Sequence, residues 1–391
     1  MKSLINMAEN NHKGLRVAFI AGTLGQGGAE KQLVYMVRAL LQAGVTVRVY
    51  SLTRGEYYES TLQALGIQPQ WIGKYSSPVV RLIILMISLR NFKPHVLQSA
   101  HFFANLYVGL IAPIFSAVGI GSIRSDIIYE MESNPFWGKL LLTKVNSLIV
   151  NSQVAMRNAT KFGVAPEKVN YLPNVIDLAD FDRRHNQIES IPVHQGIESK
   201  TVVVSIGGLF PAKRFDRFIA ALTIACRKTP KLLGIIIGDG PELANLQAFA
   251  QQKGLSEENF LFLGRRDDVP AILRKAQIFV LTSDHEGFPN VLLEAMAARL
   301  PVITTPAGDS SNVVQDGQTG YVVPFDDIDG LVKYMLRLAQ SAQLRHKLGQ
   351  AGRARVEQIY GTDGLAKNLL SIYGQIAIQR HSRRLIKVLS S

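Results

Sequence analysis

The sequence predicts an α/β protein of two domains, each built on a parallel sheet, with the two sheets facing a central cleft. Three observations predict it. Short Val- and Ile-rich runs alternate with longer stretches of helical periodicity, as in β-α-β units. The alternation fades between Asp180 and Lys200 and restarts at Thr201, so it occurs twice. The chain has 391 residues, more than one core usually serves, and its 47% hydrophobic content suffices for two.

The elements follow in order. "LRVAFIAGTL" is a strand closed by glycine, "GGAEKQLVYMVRALLQAG" a helix ending at Gly44, and "VTVRVYSL" the next strand. That β-α-β unit implies parallel pairing. "HVLQSA", "GIGSIRS", "SLIVNSQ" and "KVNYLPN" continue as strands, completing a first domain over 1–180. "DRRHNQIESIPVHQGIESK" is polar and aperiodic and reads as a linker over 181–200. "TVVVSIGGL", "LLGIIIGDG", "NFLFLGR", "IFVLTSD" and "PVITTPA" are the strands of a second domain over 201–360. Phe102 to Ile123 carries no charge, but Asn105, Gly109, Pro113, Gly119 and Gly121 mark it as a buried helix and strand rather than a membrane span.

Composition narrows the function. A net charge of +13 calls for an acidic partner: nucleic acid, an anionic membrane surface or a phosphorylated substrate. No nucleic-acid-binding motif accompanies the charge, so nucleic acid is not expected as a partner. The single Cys226 excludes an internal disulfide framework; in "IACRK" it reads as a buried helical residue of a reducing compartment. "MKSLINMAENNHKG" lacks the apolar core of a signal peptide, and a cytoplasmic location is expected.

Two loops hold the candidate chemistry. "GQGGAE" offers Gly25 and Gly27, yet Glu30 stands where a dinucleotide fingerprint has its third glycine, and "VYSLTR" supplies no acid for a ribose. The loop either presents N–H groups to an anion or is a tight strand-to-helix turn. In "DHEGFPNVLLEAMAARLPVI", Glu286 lies in a loop ahead of a helix, Asn290 is the expected N-cap, and Glu294 falls about one turn inside. A helix N-terminus suits a phosphate, and a carboxylate one turn along suits the vicinal hydroxyls of a ribose. Loop and helix together suit a nucleotide diphosphate sugar; two isolated glutamates beside a packing helix are the alternative.

"EGFPNVLLEAMA" resembles the signature of the retaining glycosyltransferases of family four, group 1 type, which have GT-B architecture: two Rossmann-like domains around a cleft. The resemblance covers most of the chain, through "GGAE", "NSQ", "YLPNVID", "GGLFPAKRFD", "IIGDGPE", "FLGRRDDV" and "GDSSNVVQDGQTGYVVP" in that order. It implies that the C-terminal helix, 361–391, rejoins the first domain. It implies Glu286, Lys213 and His101 as catalytic-site residues, with Glu286 on the transferred sugar and Lys213 on the diphosphate leaving group. Glu294 would hold the ribose, the backbone of Gly287 and Phe288 would face the phosphates, and Gly27 and Gly28 would bring the first loop close to the donor. Arg124 and Asp126 end a later strand and are expected on the acceptor side, Asp126 as part of a polar turn rather than as a base. Two positions depart from the family pattern. Gly208 stands where many members have an arginine, and Arg214 is expected to replace that charge; Asn312 stands where many have Glu.

The reaction so implied is retaining transfer of a sugar from a nucleotide-diphosphate sugar to a hydroxyl of a growing or lipid-linked glycan, by same-face attack. No metal and no other cofactor is expected. A sugar-nucleotide epimerase or hydrolase of the same architecture and a non-catalytic binding protein are the alternatives. The basic charge, "PVVRLIILMISLR" and the tail "RRLIKVLSS" add a further expectation: peripheral docking on an anionic membrane surface, the inner face of the plasma membrane.

Overall fold

The computed structural model describes residues 12–75, 77–186 and 199–390. The chain forms two compact units, Met1–Val175 with Thr362–Ser391, and Ile176–Gly361.

The first unit is a seven-stranded sheet: β1 (Arg16–Ala21), β2 (Thr46–Ser51), β3 (Gln70–Trp71), β4 (Val96–Ser99), β5 (Val118–Ile123), β6 (Ser147–Val150) and β7 (Val169–Tyr171). All neighbours pair in parallel in the order β3-β2-β1-β4-β5-β6-β7. Its helices are α1 (Gly28–Gln42), α2 (Glu59–Ala64), α3 (Pro78–Arg90), α4 (Asn105–Ile111), α5 (Ile127–Ser133), α6 (Gly138–Thr143) and α7 (Gln153–Lys161). The uncharged run from Phe102 thus becomes α4 followed by the fully buried β5, as expected.

The second unit begins with α8 (Leu178–His185). Its six strands are β8 (Thr201–Ile206), β9 (Leu232–Ile237), β10 (Phe260–Phe262), β11 (Ile278–Leu281), β12 (Val302–Thr304) and β13 (Gly320–Val322). They too are all parallel, in the order β10-β9-β8-β11-β12-β13. The helices are α9 (Phe215–Lys228), α10 (Leu243–Gln252), α11 (Val269–Lys275), α12 (Asn290–Ala297), α13 (Ser310–Val313), α14 (Ile328–Gln340) and α15 (Ala342–Ile359). The chain then returns to the first unit with α16 (Leu365–Gln379) and α17 (Arg383–Leu389).

Helices cover both faces of each sheet, which is why the strands read as unbroken apolar runs; all six residues of β9 are buried. In the first unit one face carries α1 and α16, through Leu33, Met36, Leu369 and Ile376. The other carries α3 to α7, through Leu85, Val108, Leu141 and Ala155. Tyr373 of α16 donates to Gln98 Oε1 at 2.6 Å, which fixes the returning helix on β4. Cys226 is buried on α9, and burial pushes its thiol up to about 11.

Two readings need correction. The first unit ends at Val175 rather than 180, and the start of the expected linker is helix. Asp177 Oδ1 caps α8 from the Asp180 N–H side at 3.0 Å, Phe181 packs into the second core, and Arg353 grips Asp182 at 2.6 and 2.7 Å. "DRRH" is polar because its side chains take polar partners within the second unit, not because it is a tether: Asp182 holds Arg353, and Arg184 and His185 bond the carbonyls of Asp267 and Pro270. Residues 187–198 of the expected linker lie outside the described residues. The strands β3 and β13, two and three residues long, were too short to show a period.

Candidate active site

In an open parallel sheet, ligands bind beyond the strand C-termini where the strand order reverses. The second sheet reverses between β8 and β11. Beyond β8 come Gly207, Gly208, Leu209 and a 3-10 turn, Pro211–Lys213; beyond β11 comes the loop from Thr282 to Pro289. Lys213 and Glu286, 73 positions apart in sequence, meet there: Nζ donates to Oε1 at 2.7 Å. Ser283 Oγ donates to the same Oε1 at 2.7 Å. Both contacts converge on one oxygen, leaving Oε2 without a protein partner among the described residues. The Glu286 side chain is 9% exposed and that of Lys213 27%, so the pair is sheltered yet reachable.

The two loops are bolted together. Asp284 N–H donates to the Ala212 carbonyl at 2.9 Å, and Thr282 Oγ1 donates to the Arg214 carbonyl at 2.8 Å. Arg214, in the left-handed region at φ 49°, spends its guanidinium on Asp216 (3.0 Å) and Asp284 (3.0 Å). Arg217, almost wholly buried, reaches Asp284 at 2.5 Å and Asp326 at 2.6 Å. Burial alone would raise the Asp284 carboxyl; the two guanidinium groups outweigh it and hold the carboxyl below its usual range. Arg214 was expected to stand in for the charge missing at Gly208. It sits instead as a strut, its charge taken up by two carboxylates, and Lys213 is the cation left facing the site.

Behind the loop, Asp309 N–H donates to the Gly287 carbonyl at 3.2 Å. Gly308 makes this approach feasible. Its φ is 53°, and a Cβ there would lie 2.3 Å from the Glu286 carbonyl oxygen. Asn312 Nδ2 donates to Asp309 Oδ1 at 3.1 Å. The N–H groups of Gly287 and Phe288 have no partner among the described residues, while the Phe288 ring is buried edge-on to Tyr360 at 5.7 Å. The helix α12 begins one residue before expectation: Pro289 takes the capping position and Asn290 the first turn. Glu294 is half-buried in the middle of α12.

The first sheet reverses between β1 and β4, and a second acid–base pair stands there. His101 follows β4, and its Nδ1 accepts from Gly22 N–H at 3.0 Å. The proton of the neutral ring therefore sits on Nε2, which donates to Glu30 Oε1 at 3.0 Å. Both nitrogens are used within the protein, so His101 holds the loop after β1 rather than offering a nitrogen to substrate. Glu30 folds back along the start of α1, and a Cβ on Gly27 would come within 2.2 Å of its Oε2. Glu56 clamps the same loop: it accepts from Thr23 Oγ1 at 2.9 Å and from Leu24 N–H and Thr53 Oγ1.

Glu30 was read only as the residue displacing a glycine, and Glu56 was not singled out. The signal for Glu30 was its place in the first turn of a helix, where a carboxylate is stabilised by the helix dipole. Glu56 left no signal, because Thr23 and Leu24 lie 33 and 32 positions away and its near partner, Thr53, is an ordinary loop hydroxyl. Asp126 caps α5, accepting from Ile128 N–H at 2.9 Å. Arg124, at the end of β5, is held by Asn174 Oδ1 at 3.2 Å and has no carboxylate partner among the described residues. Burial lowers it to about 10, with Tyr373 acting in the opposite direction.

Two parallel α/β units, one with a lysine–glutamate pair at its switch point, place the chain among two-unit α/β proteins with a ligand site where the strand order reverses. Comparison with known proteins identifies which. The family described as Glycosyltransferase Family 4 matches residues 26–180, and Glycosyl transferases group 1 matches residues 187–355. The N-acetyl-alpha-D-glucosaminyl L-malate synthase of Bacillus anthracis is 29% identical over 259 residues, 65% of this chain and 67% of its own. The UDP-Gal:alpha-D-GlcNAc-diphosphoundecaprenol alpha-1,3-galactosyltransferase of Escherichia coli is 28% identical over 46% of this chain and 48% of its own. Among solved structures, Anabaena Alr3699/HepE in complex with UDP-glucose superimposes with a TM-score of 0.78 at 19% identity, covering 94% of this chain and all of that one. The chain belongs to the group 1 glycosyltransferases and has the GT-B fold.

Proposed function

We propose that the enzyme transfers a sugar, with retention of anomeric configuration, from a nucleotide-diphosphate sugar to a hydroxyl of a glycan or lipid-linked glycan. The observation that carries this is the Lys213–Glu286 pair with Glu286 Oε2 unpartnered. An ammonium has three donors, and Glu286 takes one, so two remain for diphosphate oxygens. Oε2 is left to accept from hydroxyls of the transferred sugar. The N–H groups of Gly287 and Phe288 lie ahead of α12, where phosphate oxygens are favoured, and Glu294 accepts from the ribose hydroxyls.

In the reaction the bond from anomeric carbon to phosphate oxygen breaks as the acceptor oxygen bonds to the same face of that carbon. The acceptor proton passes to the departing phosphate. Negative charge grows on the diphosphate, and Lys213 stabilises it. Neither glutamate is a nucleophile. His101 and Glu30 set the shape of the Gly22–Gly28 loop, and Arg124 offers an acceptor phosphate a cation without a carboxylate partner. No resident metal is part of this proposal, so chelator should leave turnover unchanged. The relatives named for diphosphoundecaprenol and capsular polysaccharide support a lipid-linked or polymeric acceptor, and with it an anionic membrane surface as partner.

A thermal-shift screen of nucleotide sugars tests the donor, since a ligand of the folded state raises its melting temperature by mass action. The best donor is then offered with sugar-diphosphate-polyprenol acceptors, and the anomeric configuration of the product is read by NMR. An inverted product would overturn retention. Release of free sugar equally fast with and without acceptor would overturn transfer to a glycan.

A further inference from the structure

We infer that the outer helical layer of the first unit, led by Phe136 and Trp137, is a docking face for an anionic lipid bilayer. The inference rests on the lipid-linked acceptor proposed above and adds the surface that meets the lipid. The two layers of this unit differ sharply. The layer of α1, α2, α16 and α17 exposes two large apolar side chains among its described residues, Ile378 and, just ahead of α2, Tyr57. The layer of α3 to α7 exposes many. On α3, Leu85 and Leu89 face the sheet, while Val79, Ile83 and Ile87, spaced by four, line the opposite side, with Ile87 68% exposed. Between α5 and α6, Phe136 is 91% exposed and Trp137 61%, and Tyr129 on α5 is 62% exposed. These helices touch in series, α3 with α4, α4 with α6, and α6 with α5, so the side chains belong to one continuous layer.

A soluble surface rarely shows this much apolar side chain without a partner. The occupant is chosen by chemistry. Trp and Tyr among aliphatic residues, bordered by cations, suit the headgroup level of a bilayer. Arg81 and Arg90 lie on α3, and Lys139 and Lys144 lie on or beside α6. The acids of the same layer sit on or beside α5, where Asp126 caps the helix, Glu130 accepts from Ser125 Oγ, and Glu132 remains. A second protein would not require the excess of cations; anionic lipid does. Among the described residues no helix is long and apolar enough to cross a membrane, so contact is from one side.

The chain has two tryptophans, Trp71 and Trp137, so Trp71→Phe leaves Trp137 as the only indole fluorophore. Vesicles of phosphatidylglycerol and phosphatidylcholine at low salt should shift its emission to the blue. Brominated acyl chains should quench it, and both effects should fade as salt rises. The double variant Phe136→Ser/Trp137→Ser, and separately Ile83→Ser/Ile87→Ser, should each weaken vesicle co-sedimentation by about tenfold or more, because apolar burial sets the affinity. Both should keep the wild-type melting temperature and its rise with donor, which shows the fold and donor site intact. Unchanged Trp137 emission with anionic vesicles would overturn the inference. So would a dimer dissolved by Phe136→Ser/Trp137→Ser in the absence of vesicle binding, since a second copy would then be the occupant. No sugar transfer enters these readings, so they stand or fall independently of the transfer assay.

Discussion

Each unit places an acid–base pair at the point where its strand order reverses, and the two pairs are built to opposite ends. In the first, His101 and Glu30 close on each other: one ring nitrogen takes Gly22 N–H, the other gives its proton to Glu30. In the second, Lys213 and Glu286 meet at a shorter distance but stay incomplete. Two ammonium donors and one carboxylate oxygen are left over, and the lysine side chain is twice as exposed as the histidine, 27% against 13%. A saturated pair shapes backbone; an unsaturated pair waits for ligand. On the function proposed above, the same position serves scaffold in one sheet and chemistry in the other. The difference lies in how many hydrogen-bonding groups the protein leaves open.

The strongest way to break this comparison is Lys213→Ala. If Lys213 meets charge that grows in the transition state, kcat should fall by roughly two to three orders of magnitude, as when an oxyanion donor is lost. The KM for donor should change much less. Steady-state kinetics at saturating acceptor separates the two. A rise in KM with kcat intact would make the lysine a ground-state binder and Arg214, despite its carboxylates, the cation of the transition state.

Next in size is Glu294→Gln. If Glu294 holds the ribose as proposed, an amide replaces a carboxylate that takes two hydrogen bonds, and the expected loss is about 1–3 kcal/mol. Calorimetric titration with the free nucleoside diphosphate measures it directly. An affinity unchanged from wild type would move the ribose away from α12.

The sheets were legible in the sequence because both faces of their central strands are covered. Burial on two sides writes continuous apolar runs, and only β3 and β13 were too short to be seen. Glu286 and Lys213 were legible as motif positions, but their contact was not, since no local spacing reports a pair 73 positions apart. Arg214 shows the limit from the other side. Its charge was visible beside Lys213, yet adjacent residues point apart, and the carboxylates of Asp216, two residues on, and Asp284, 70 positions away, decided where the guanidinium went. The outer face of α3 was ambiguous for another reason. Its apolar residues run almost continuously, so periodicity could not say which were buried; contact with the sheet through Leu85 and Leu89 resolves it.

The closed pair can be probed through stability rather than rate. Glu30→Ala leaves the His101 Nε2 proton without its acceptor in a sheltered place, which costs about 1–3 kcal/mol. His101→Ala orphans both Gly22 N–H and Glu30. The double variant should be less destabilised than the sum of the singles, and chemical denaturation of all four proteins gives the coupling. For Lys213 and Glu286 the same cycle should show little coupling in stability, because each keeps other groups or solvent. Equal coupling at both sites would erase the distinction between scaffold and chemistry.

The smallest effect belongs to Glu56, which clamps the loop that His101 also holds. Burial pushes its carboxyl up, but hydrogen bonds from Thr53, Leu24 and Thr23 and the neighbouring His101 outweigh that, so it ionises below its ordinary value of 4.5. A carboxyl lowered on folding stabilises the folded state above the unfolded value and loses that contribution as pH falls through the folded one. Glu56→Gln should therefore lower the urea midpoint modestly at pH 7. The gap to wild type should narrow below about pH 4.5 and close once Glu56 itself is protonated in the fold. Urea melts of both proteins between pH 7 and 3 read this out. A gap constant across that range would mean the clamp works through the shape of its hydrogen bonds and not through charge. The loop at the first switch point would then owe its hold on Glu56 to hydrogen-bond geometry, in contrast to the charged, open pair on the second sheet.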